Sequence, residues 1–82
     1  MTYTVYILQS EATFRYYVGH TDDVPKRLIQ HNSGVNKSTR NGVPWKLIYT
    51  EVFNTRSEAM KRELQIKKRG IERFLRDTAQ PG

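Results

Sequence analysis

An α+β fold, with a three-stranded antiparallel sheet flanked by helices in the order ββαβαα, is what this sequence predicts. Three observations carry that prediction. Residues 3–9 and 15–19 are β-branched and aromatic runs separated by a short polar connection. Residues 45–53 are a third run of the same kind. The chain after the second run, and again after the third, opens with residues that cap helices.

The first two runs have the spacing of a hairpin turning through Ser10 to Thr13. Centring their pairing between Glu11 and Ala12 sets Tyr6 opposite Tyr17, and the alternation of strand side chains puts both rings on one sheet face. A slip of one residue would separate them. Thr21, Asp22 and Asp23 are N-cap candidates and Pro25 suits a first helical turn. That helix should run to about His31, where Asn32, Ser33 and Gly34 supply the stop. Residues 35–44 form a polar loop carrying Lys37, Arg40, Gly42 and Pro44. After the third strand, Thr55 and Glu58 have the spacing of a capping box, in which each side chain satisfies a free backbone donor near the other. The helix they open should end near Gly70, and a last helix of about residues 71–78 should stop before Pro81. Strand 1 is expected in the centre of the sheet. No repeat, linker or low-complexity tract interrupts the chain, so residues 1–82 read as a single domain.

Eighty-two residues, 37% of them apolar, support only a thin core, although five Tyr, three Phe and one Trp help to fill it. An exposed cleft or face is therefore the expected working surface rather than a deep pocket. The absence of cysteine excludes disulfides and thiolate metal sites and fits a reducing compartment. No apolar run approaches the ~20 residues of a membrane span, and no signal-peptide pattern opens the chain, so a cytoplasmic location without membrane contact is expected. A net charge of +6 attracts polyanions, and the same excess can simply serve solubility.

Several side chains are placed for chemistry. In the first helix, Arg27 and His31 are four residues apart and lie beside the apolar stripe of Val24 and Leu28. An arginine at a core edge ordinarily snorkels to water. This one can also converge with His31 on a phosphate oxygen, which suits its fixed fork of donors. In the second helix, a step of ~100° per residue places Glu63 inside an arc marked by Ala59, Met60 and Ile66. A buried carboxylate needs a cation. Lys67 is available at i+4 but offers a few tenths of a kcal/mol at most, so a divalent metal is the better match, Mg²⁺ being typically held by one or two carboxylates and several waters. Tyr6 and Tyr17 are ordinary core residues on one reading; on another, their hydroxyls position or deprotonate a water. Half of the fourteen basic residues fall between Lys61 and Arg76, with only Glu63 and Glu72 as acids among them. Such a run is either a solvated face or a track for a nucleic-acid backbone, which Lys37 and Arg40 of the loop could extend.

Taken in order, these residues resemble the GIY-YIG nuclease family, and in particular its small stand-alone prokaryotic members. The first signature tripeptide is Thr4-Val5-Tyr6 and the second Tyr17-Val18-Gly19, followed by His20 where some members carry lysine. Arg27 and His31 keep the family spacing, the segment from Ser57 to Lys68 looks like its acidic helix, and Thr39-Arg40 with Pro44-Trp45 looks like its central loop. The match covers about residues 3–69, leaving a basic C-terminal helix of about 71–78. The resemblance implies one divalent metal, Mg²⁺ or Mn²⁺, on Glu63. It implies Arg27 on the scissile phosphate, Tyr6 and Tyr17 orienting or activating water, and His31 assisting, in metal-dependent hydrolysis of a phosphodiester. DNA is the expected partner, met by Lys37, Arg40, Arg62, Lys67, Lys68 and Arg69, with a protein partner as a further source of specificity. The alternative is a nucleic-acid-binding module that uses the same basic cleft without useful catalysis.

Overall fold

The computed structural model describes residues 1–79. It contains β1 (Tyr3–Ser10), β2 (Tyr16–Thr21), α1 (Val24–Asn32), β3 (Trp45–Phe53), α2 (Arg56–Arg69) and α3 (Ile71–Ala79), with a turn of 3-10 helix at Arg40–Gly42 in the loop before β3. The expected stop at Pro81 lies outside the described residues. The sheet order is β2-β1-β3 and both pairings are antiparallel, so β1 is central as the sequence predicts.

Being central, β1 is covered on both faces, and its residues 5–8 are all buried. Val5 and Ile7 join Val18 of β2, Ala59 and Ile66 of α2 and Phe74 of α3. Tyr6 and Leu8 point the other way, to Trp45, Tyr17, Leu28 and Val43. Helices α2 and α3 thus cover one face, and α1 with the loop covers the other.

The hairpin register differs from the expected one. Tyr6 stands opposite Gly19 and Leu8 opposite Tyr17. The cause is the length of the loop. Ser10 and Arg15 close it, with the Ser10 N–H on the Arg15 carbonyl at 2.9 Å. Ser10 Oγ then accepts the N–H groups of Ala12 (3.1 Å) and Thr13 (2.9 Å), which pins residues 11–14 as the turn. The partners shift by two positions, an even number, so Tyr6 and Tyr17 remain on one face.

The helix boundaries follow from their caps. Asp23 accepts the Lys26 N–H at the start of α1, and Gly34 (φ 80°) carries the chain away after it. Thr55 caps α2 by accepting the Glu58 N–H at 3.2 Å. The return bond differs from the expected capping box, because the Thr55 hydroxyl donates to the Glu58 carboxylate at 3.0 Å. Gly70 (φ 93°) separates α2 from α3.

Candidate active site

The site begins with Tyr6 on the face of the central strand covered by α1. Its ring passes over the Gly19 backbone, and a Cβ at that position would stand 2.7 Å from the phenolic oxygen. Only glycine opposite Tyr6 allows this approach. From the other side, His31 of α1 is buried and its Nε2 shares a 2.9 Å hydrogen bond with the Tyr6 hydroxyl. The other ring nitrogen, Nδ1, bonds Thr39 Oγ1 at 2.9 Å. Thr39 is itself buried, with its carbonyl taking the Trp45 indole N–H at 2.6 Å. Tyr17 stacks against the same histidine, its ring centroid 4.9 Å from that of His31 and 6.3 Å from that of Tyr6.

The electrostatics bind the cluster together. Burial drives the Tyr6 phenol well above its ordinary value; Tyr17 and Glu63 push the same way, and the charge of Arg27 opposes them. Burial and then Arg27 hold His31 below its ordinary value, which keeps the ring neutral at pH 7. In a neutral imidazole one nitrogen donates and the other accepts, so the protons from Tyr6 through His31 to Thr39 are ordered one way along the whole chain. Arg27, one helical turn before His31, is half-buried and its charge acts on both Tyr6 and His31; among the described residues its guanidinium has no hydrogen-bond or ion-pair partner.

Glu63 approaches from the opposite face. His20 pairs with Val5 in the sheet and therefore points to the α2 side. Its Nδ1 meets Glu63 Oε1 at 2.7 Å, while Lys67 Nζ donates to Oε2 at 2.7 Å. An ionised carboxylate only accepts, so His20 carries a proton on Nδ1. Burial would raise the Glu63 pKa, but the bonds from Lys67 and His20 outweigh it and hold the group below the usual range. The site thus wraps around the edge strand β2, with Tyr17 on one side of it and the His20–Glu63 pair on the other.

Two expectations about this helix are refined. Glu63 is largely covered, its side chain 16% exposed, but the arc around it is not uniformly buried: Met60 and Leu64 are 47% and 57% exposed. Only Ala59 and Ile66 of α2 are buried, so the covered stripe is narrower than the arc drawn from sequence. The Lys67 pairing, weighed as the lesser option for Glu63, is formed, with His20 as a second partner that sequence spacing could not supply. Among the described residues no three His, Cys, Asp or Glu side chains gather as a ligand set.

The expected basic track is also divided. Lys37 and Lys68 are exposed, and Arg40 Nε reaches the Gly34 carbonyl. Arg62 instead turns to the β3 edge, where it donates to Glu51 at 2.9 Å and covers the Phe74 ring at 4.9 Å. Arg69 is held by Asp77 of α3 through two bonds of 2.8 and 3.1 Å. The structure does not bring Arg62 to the tyrosine cluster, because the edge it faces is the far one. Sequence reading gave no role to His20, nor to Thr39 beyond its place in the central-loop resemblance. Each is a lone polar residue without periodic pattern, visible as part of the site only once strand pairing and loop path are known.

This sheet, with two tyrosines and a histidine gathered on one face and a glutamate behind the edge strand, is matched by the model of a nuclease-type domain family. Residues 2–72 match the family model described as the GIY-YIG catalytic domain, and the chain belongs to the GIY-YIG family. It is 46% identical over 65 residues to a UPF0213 protein of Halobacterium salinarum, an alignment covering 77% of this chain and 82% of that one. It is 48% identical over 52 residues to a UPF0213 protein of Staphylococcus saprophyticus, covering 62% of this chain and 63% of the relative. Among solved structures, the solution NMR structure of a UPF0213 protein from Bacillus halodurans superposes with a TM-score of 0.59 at 32% identity, covering 96% of this chain and 84% of that one. No helix is long and apolar enough to cross a membrane among the described residues.

Proposed function

We propose that this chain is a metal-dependent nuclease that hydrolyses phosphodiester bonds of DNA in the cleft between Tyr6, Tyr17, Arg27 and His31. The observation that supports this most is the convergence on one buried phenol of a neutral histidine, a second phenol and an arginine without a partner among the described residues. Arg27 is a fork of donors, and a phosphate is a group that matches it. A water oxygen attacks phosphorus as the bond from phosphorus to the departing sugar oxygen breaks; the proton lost by the water passes to solvent on the open side of the cleft, and the departing oxygen takes one from solvent. Tyr6, kept protonated by burial, orients that water or the phosphate by hydrogen bonding. Tyr17, half-exposed on the open side, is the phenol that faces the water.

Glu63 fits a hard divalent ion such as Mg²⁺ or Mn²⁺, being an ionised oxygen donor that stands across the edge strand β2 from the tyrosines. To take one it exchanges Lys67, whose exposed side chain is free to swing out. When bound, such an ion supplies charge stabilisation to the phosphate and the leaving oxygen.

The test is cleavage of plasmid, branched and single-stranded DNA by purified protein with Mg²⁺ or Mn²⁺. Glu63→Gln and Tyr17→Phe variants with native circular dichroism should lose roughly 10²–10³-fold in rate, the usual cost of removing one group that stabilises the transition state. Wild-type rates in the Glu63→Gln variant, or no cleavage of any substrate by the parent protein, would overturn the proposal. A second reading is favoured by the engagement of both Glu63 oxygens: a binding module whose salt-sensitive affinity for DNA survives Glu63→Gln and whose parent protein cuts nothing.

A further inference from the structure

The tip of the β1–β2 hairpin presents a residue that local stability does not explain. Phe14 occupies the last position of the four-residue turn, where the backbone is left-handed (φ 64°). Turns place glycine or asparagine there, because a bulky side chain is strained in that region. The ring gains little burial in exchange, being 71% exposed. The conformation is nonetheless fixed, by the Phe14 N–H on the Ser10 carbonyl at 3.0 Å and by Gln9 Nε2 on the Phe14 carbonyl at 3.3 Å. A strained, exposed aromatic held in one place is a signature of a contact made with something else.

Its surroundings indicate what that is. Phe14 lines an open groove between the hairpin and the α2–α3 junction, with Arg15, Tyr16, Lys67, Ile71 and Glu72. Phe14 and Ile71 supply apolar surface for a flat ring. Arg15 and Lys67 supply positive charge, and the Glu72 carboxylate can accept from an exocyclic amine. Arg15 and Tyr16 also line a second groove, on the other side of β2, together with Tyr17 and Trp45. The two grooves thus share Arg15 and Tyr16 at the edge of the sheet, and the second of them reaches Tyr17.

We propose that this hairpin groove binds an unpaired nucleobase, which stacks on Phe14 while the flanking phosphates meet Arg15 and Lys67. The inference rests on the nuclease reading and narrows its substrate to nucleic acid with an unpaired nucleotide beside the scissile phosphate. A base still paired in a duplex has no free face to offer the ring, whereas stacking on aromatics is the general means of holding single-stranded nucleic acid.

Binding is measured by fluorescence anisotropy on a blunt DNA duplex and on the same duplex with a single-stranded tail, using the Glu63→Gln protein so that cleavage does not interfere. The tailed duplex should bind more tightly. Adding Phe14→Asn should weaken the tailed complex roughly 5- to 150-fold, the range for loss of one base–aromatic stack. It should leave the blunt complex unchanged and hold or raise the melting temperature, since the strain is relieved. Phe14→Trp should keep the preference. Equal affinity for the two duplexes, or a Phe14→Asn protein that melts earlier and loses both complexes alike, would overturn the groove. Cleavage of plasmid by the parent protein is scored separately. If cleavage persists while the tail preference is absent, the groove fails and the nuclease reading stands. If nothing is cut and the tail preference remains, the reverse holds.

Discussion

Thr39 is the far anchor of a hydrogen-bond relay whose near end is the Tyr6 hydroxyl. Between them His31 is buried and neutral, so the proton it shares with Thr39 decides whether Nε2 accepts from Tyr6 or donates to it. Thr39→Val preserves the shape and removes the oxygen, leaving Nδ1 buried without a partner. That should cost about 1–3 kcal/mol and free the ring to exchange tautomers. Nitrogen-15 shifts of the His31 ring should report one tautomer in the parent protein and an averaged pair in Thr39→Val, with Thr39→Ser restoring the first pattern. A pH dependence accompanies this. The folded ring takes its proton less readily than the unfolded one, whose value is 6.5. Stability from this residue is therefore complete above that pH and is lost as acid is added. Thr39→Val should lower the unfolding free energy at pH 8 as well, which separates a lost hydrogen bond from a change in titration. Identical ring shifts in the parent and Thr39→Val proteins would dismiss the anchoring role.

At the scale of elements, α2 owes its position to its cap as much as to its buried face, since only Ala59 and Ile66 are enclosed. Thr55→Ala removes the acceptor for the Glu58 N–H and should destabilise the protein by about 1 kcal/mol in chemical denaturation. Nucleic-acid affinity should not change, because Thr55 lies two turns before Glu63. An unchanged midpoint would show that packing alone sets the helix start. This boundary was legible because a cap is a local pattern, and so was β3, whose observed span of Trp45–Phe53 is the one read from its apolar run. The hairpin register was not, because it depends on Ser10 Oγ folding back onto the turn. The surroundings of Glu63 were illegible for a related reason. Helical periodicity shows which way a side chain points, but the width of the covered stripe and the arrival of His20 are set by the sheet. Tyr6, Tyr17, Arg27 and His31 could be gathered from sequence, since two strands of one hairpin and one helical turn bring them near each other. Their partner Thr39 comes from an irregular loop, where no period operates.

Over the whole molecule, the net charge of +6 is less evenly available than composition suggests. Asp77 offsets Arg69, Glu51 offsets Arg62, and Lys67 is engaged by Glu63 in the free protein. The cations left open around the cleft and its approach include Arg15, Arg27, Lys37 and Arg40, while Lys61, Lys68 and Arg73 stay exposed along the C-terminal helices without an acidic partner among the described residues. Binding to a polyanion releases counterions in proportion to the phosphates neutralised, giving a slope of about −0.9 per contact in a plot of log affinity against log salt for duplex DNA. If Arg15, Arg27, Lys37 and Arg40 each meet a phosphate of a blunt duplex, the slope should be about −3 to −4. Lys37→Ala should then flatten it by about one contact and weaken binding alike for every sequence. Arg69→Ala should leave slope and affinity close to those of the parent protein, because the charge removed was already balanced by Asp77. The opposite result, a flatter slope in Arg69→Ala and none in Lys37→Ala, would move the nucleic-acid track to the α2–α3 junction and away from the tyrosines. A substrate phosphate bound along that track would then lie beyond the reach of Arg27.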